Sequence, residues 1–61
     1  MTLIINVPES DVKKAAELFT AGVKVATSSD TIIAVGSFSN LLHGMYKIGL
    51  NNILIAHFEY E

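Results

Sequence analysis

The chain has no cysteine, no arginine and no tryptophan, and only one proline. Without thiols it cannot be a disulfide miniprotein, a zinc finger with thiolate ligands or a thiol enzyme. Domains of this size often depend on such staples, so dense apolar packing must take their place. The missing arginine matters as well, because arginine is the usual bidentate reader of bases. Only four lysines (Lys13, Lys14, Lys24, Lys47) stand against six carboxylates (Glu9, Asp11, Glu17, Asp30, Glu59, Glu61). A net charge of −2 leaves no basic footprint for nucleic acid, and it is too small for a convincing DNA mimic. No apolar run approaches the roughly 20 residues of a membrane-spanning helix. The first residues carry neither a basic n-region nor an apolar h-region, so a cytoplasmic protein is expected.

What is present is apolar. Hydrophobic residues make up 51% of the 61 positions, which excludes intrinsic disorder and suits one domain over residues 1–61. Residues 2–7 are β-branched and apolar up to Pro8, which cannot donate to a ladder, and they read as a strand. Val12, Ala15, Ala16 and Phe19 then recur at helical spacing, with Lys13, Lys14, Glu17 and Thr20 on the other face. Ser10 is a candidate N-cap, and Gly22 is placed to close the helix in the left-handed region. Residues 23–27 and 31–35 alternate as strands around the turn residues Ser28-Ser29-Asp30, predicting a hairpin. Leu41, Leu42, Met45 and Ile48 form a second helical stripe that ends at Gly49. Gly44 inside it costs roughly 1 kcal/mol relative to Ala, which predicts a close neighbour. Residues 53–60 alternate as a last strand.

The order is β-α-β-β-α-β. The competing reading runs residues 23–27 on as helix, but Gly22 and the valine alternation favour a strand. The expected fold is therefore α+β: a ferredoxin-like sandwich with a four-stranded antiparallel sheet, order 4-1-3-2, and two helices on one face.

Alternation assigns the sheet faces. Leu3, Ile5, Val7, Val23 and Val25 suit the helix-covered side, as does the set Leu54, Ala56, Phe58 and Tyr60. The outer face receives Ile4, Ile53, Ile55, and Ile32 or Ile33, rimmed by Asn6, Lys24, His57 and Glu59. A contiguous rimmed apolar patch implies an interaction surface. Four buried isoleucines would contribute roughly 6–12 kcal/mol per protomer, comparable with an association cost of about 4–15 kcal/mol. The candidate interface is Ile4, Ile32, Ile53, Ile55 and His57.

Candidate chemistry is sparse. Two histidines, His43 and His57, expected on different elements, fall short of a zinc ligand set. Glu9 and Asp11 suit the positive end of a helix dipole. Glu59 and Glu61 keep the chain end solvated. Gly36, Ser37, Ser39 and Asn40 lie in a segment leading from a strand to a helix N-terminus, where an anion or amino acid could bind. The segment lacks the spacing and the lysine of a phosphate loop, and ordinary helix capping is the favoured explanation. An RNA-recognition sheet would carry aromatics where this one has isoleucines. An acylphosphatase would need an arginine, and a heavy-metal-binding domain a cysteine pair. The sequence therefore predicts a non-enzymatic interaction protein that needs no cofactor or metal. It would be an inhibitor, adaptor or regulator of another protein, a homodimer, and of a size suited to a bacteriophage accessory protein. Neither nucleic acid nor membrane is an expected partner. The alternative is a regulatory module binding a small ligand at residues 36–40.

Overall fold

The computed structural model describes residues 1–19 and 22–60. Four strands, β1 (Thr2–Asn6), β2 (Lys24–Thr27), β3 (Thr31–Val35) and β4 (Ile55–Glu59), alternate with two helices, α1 (Val12–Ala16) and α2 (Phe38–Ile48). The strands form one antiparallel sheet in the order β2-β3-β1-β4, so β1 and β3 are central and β2 and β4 are edges. Ser28 N–H donates to the Thr31 carbonyl at 2.9 Å and closes the β2–β3 hairpin.

Strand alternation builds the core. Leu3, Ile5 and Val7 of β1 and its extension, with Ile32 and Ala34 of β3, point to one side of the sheet and are buried. Val12, Ala15 and Phe19 from the first helical segment join Leu41, Met45 and Ile48 of α2 in the same cluster. Both helices thus lie on one face of the sheet. No charged or polar residue is buried among the described residues, so this core is purely apolar.

The helix boundaries differ from the sequence expectation. Ser10 does not cap α1; it lies in a 3-10 turn, Glu9–Asp11, that starts at Pro8 and is closed by the Asp11 N–H on the Pro8 carbonyl. Helix α1 ends at Ala16, a turn earlier than the apolar periodicity implied. The amides of Leu18 and Phe19 bond three residues back, to the carbonyls of Ala15 and Ala16, tightening the last turn. Gly22 has the left-handed φ of +91° but leads into β2, well after the helix has ended. Thr20, expected on the outer helical face, is outside the described residues. At the other end α2 begins at Phe38, so Phe38, Ser39 and Asn40 form its first turn instead of a loop. Gly49, at φ +91°, ends it as expected. The last strand is shorter than predicted, because Leu50–Asn52 form a 3-10 turn and Ile53 and Leu54 precede β4.

Gly44 is where the two helical segments meet. It is buried, and a Cβ built there would fall within the edge of the Phe19 ring. Gly44→Ala should therefore lower stability by up to about 2 kcal/mol. Overpacking costs roughly 1–3 kcal/mol, and replacing a helical glycine recovers about 1. Chemical denaturation should also show coupling: Phe19→Leu is less damaging in the Gly44→Ala background than alone.

Candidate functional site

The outer sheet face is built by the strand registers. Ala26 pairs with Ile33, Ile33 with Ile4, and Ile4 with His57, giving one row across the sheet. A second row runs Lys24, Val35, Thr2, Glu59, and a third joins Thr31, Asn6 and Ile55. No helix covers this side. Ile33, Val35 and Ile55 are exposed and Ile4 is half-buried between its neighbours. The rim is polar: Asn6 Nδ2 donates to Thr31 Oγ1 at 3.0 Å, and Thr31 Oγ1 to Asp30 Oδ1 at 3.0 Å. His57 Nε2 lies 4.0 Å from Glu59 Oε2, both well exposed.

Two of the expected interface residues are elsewhere. Ile32 is fully buried, because its place in the β1–β3 register puts it beside Ile5 on the helix side. Ile33 takes the outer position. Ile53 precedes β4 and packs partly buried against the core. Ile4, Ile55 and His57 are brought together, and Val35, which alternation with Ile33 could have indicated, joins them.

The Gly36 to Asn40 segment forms a helix cap. Ser37 Oγ accepts the Asn40 N–H at 3.2 Å and lies 3.4 Å from Ser39 Oγ. The hydroxyl thus occupies a donor that an anion would need. Between α1 and the end of α2 lies an open concavity of about 200 Å3, with Asp11, Lys14 and Asn52 around an apolar floor of Val7, Ala15 and Ile48. It is smaller than the roughly 300–1,000 Å3 usual for ligand pockets.

His43 lies exposed on α2, on the covered side of the sheet, and His57 on the bare side. Among the described residues no group of three or more His, Cys, Asp or Glu is placed to hold a metal ion. No described helix is long and apolar enough to cross a membrane. Glu61 is outside the described residues.

A second exposed apolar surface is absent from the sequence reading, which placed Leu42 in the core stripe. Leu42 is exposed, in line with Phe38 and Tyr46 one helical turn to either side. The i, i+4, i+8 spacing of Phe38, Leu42 and Tyr46 is the signal that marks it. Comparison with protein-family models, curated proteins and solved structures finds no match for this chain.

Ser37→Ala should destabilise the protein by about 1 kcal/mol, the usual cost of losing an N-cap. Hydrogen exchange at the Asn40 amide should accelerate in parallel. Phosphate added to the wild type should leave the amides of residues 38–40 without a saturable shift.

Proposed function

We propose that this chain is a non-catalytic interaction protein, an inhibitor, adaptor or regulator of another protein, built on a ferredoxin-like sandwich and self-associating through its bare sheet face. The element order, with β1 and β3 central, is what two interleaved strand–helix–strand units produce; counted from the β4 edge the sheet runs 4-1-3-2. The observation carrying the functional reading is the cross-strand pair Ile4–Ile33, flanked by Val35 and Ile55 on a face that no helix covers. A contiguous apolar patch ringed by Lys24, His57, Glu59 and Asn6 has the anatomy of an interaction surface.

The magnitudes make this association weak. Ile33, Val35 and Ile55 are 41, 38 and 62% exposed, together little more than one full side chain per protomer. Burying that much contributes roughly 2–4 kcal/mol per protomer, about 4–8 kcal/mol for the pair, at the low end of an association cost of about 4–15 kcal/mol. The face therefore assembles at high protein concentration.

Sedimentation equilibrium tests this. Ile33→Glu places a charge at the centre of the patch, where it would be desolvated opposite its symmetry mate. The variant should remain folded and lose the concentration-dependent species formed by the wild type. Ile55→Glu, nearer the β4 edge, should weaken it less. An Ile33→Glu variant that associates like the wild type would remove the outer face from the self-interface.

A further inference from the structure

Strand β4 and the exposed flank of α2 form one ledge on the side of the molecule away from α1. Gly44 meets Phe19, so one flank of α2 is turned to the first helical segment. Phe38, on the other flank, stacks at a tilt on Phe58 of β4, with ring centroids 5.3 Å apart. The exposed stripe Phe38, Leu42, Tyr46 starts from this contact with β4, and Ala56 of β4 is exposed although its alternation places it on the helix side of the sheet. β4 has a neighbour strand on one side only.

We propose that this ledge takes a second copy of the chain, β4 pairing antiparallel with β4 across a two-fold axis at Ala56 and the two α2 flanks closing over it. The proposal shares with the preceding section the premise of self-association but uses a different surface.

Three observations favour this occupant. The two sheet edges are treated differently. β2 carries Lys24, a common guard against edge pairing, at its start, whereas β4 has neither lysine nor proline and its one carboxylate, Glu59, lies at its end. The β4 sequence also complements itself in this register. Ala56 faces the partner's Ala56, leaving room for the helices above. Leu54 faces the partner's Phe58, and Ile55 the partner's His57. A register centred one residue later would set His57 against the partner's His57 and Ile55, within the strand, against the partner's Glu59, whereas in the Ala56 register it is Ile53, before the strand, that meets the partner's Glu59. Finally, exposed aromatic area lies beside this edge. Tyr46 and Phe38 are 82 and 46% exposed, about 250 Å2 of ring surface at roughly 200 Å2 per aromatic side chain. That is near a third of the roughly 800 Å2 per partner of a standard interface, before the leucines and the strand edge are counted.

The absence of native cysteine makes the axis directly testable. Residues facing each other across an antiparallel pair have Cα atoms about 4.5–5.5 Å apart, within the range a disulfide spans. Under mild oxidation Ala56→Cys should cross-link to itself at least about tenfold faster than Ser28→Cys at the distant β2–β3 turn, since pairing replaces random encounter with a high local concentration. Tyr46→Glu, at a position that leaves the core untouched, should abolish the rate advantage and lower the mass by sedimentation, with the far-UV circular dichroism retained. Ile33→Glu should leave the Ala56→Cys cross-link intact.

If Ala56→Cys reacts no faster than Ser28→Cys while the wild type associates and Ile33→Glu dissociates it, the edge proposal is overturned and the outer-face reading stands. If Ala56→Cys cross-links rapidly and Ile33→Glu changes nothing, the edge interface holds and the outer face is not a self-interface. A wild type that is monomeric throughout, with no preferential cross-link, overturns both and leaves the edge to a strand from a different protein.

Discussion

The Phe19 ring against Gly44 sets the geometry on which the rest of the molecule depends. For Phe19 to reach the core, the first helical segment ends early and winds into a tighter turn. For the ring to fit, α2 must present a residue without a side chain at the crossing point. The contact fixes the rotation of α2 about its own axis. Leu41, Met45 and Ile48 then join the core, Phe38 reaches Phe58 of β4, and Leu42 and Tyr46 are left exposed. The glycine that weakens α2 as an isolated helix is thus what allows the two helical segments to pack closely on one sheet.

Two helices cannot cover every apolar surface of a four-stranded sheet. Both lie on one face, so the other is bare, and the alternating β-branched residues that suit β1 and β3 as central strands leave Ile4, Ile33 and Val35 there. The covered face is incomplete too: α2 shields Phe58 only partly and leaves Ala56 exposed at the edge. In a larger domain further elements would bury these surfaces. Here the described elements leave them exposed.

Every described titratable side chain lies on the surface of an apolar core. The histidines are separated by the sheet, and the segment from Gly36 to Asn40 uses its hydroxyl to end a helix. The described surface holds two open concavities, one of about 200 Å3 between α1 and the end of α2 and one of about 470 Å3 beside Tyr46 and Leu50–Asn52.

The sequence by itself determined the kinds and order of the elements, because strand and helix periodicities are local properties written in consecutive side chains. The Thr31–Val35 strand, the hairpin turn at Ser28 to Asp30, the inward set Leu3, Ile5 and Val7, and the need for a close neighbour at Gly44 were all legible in that way. Only the tertiary structure decided which of Ile32 and Ile33 faces outward. Both are β-branched, and the choice rests on the pairing of β3 with β1, a contact between residues far apart in the chain. It also decided that Ile53 turns toward the core, because a 3-10 turn delays the start of β4. Leu42 carries the same lesson. Helical spacing gives an apolar arc, but how much of that arc is buried depends on where the neighbouring elements stop. That limit is set by the reach of α1 and the sheet, which no local pattern in α2 records.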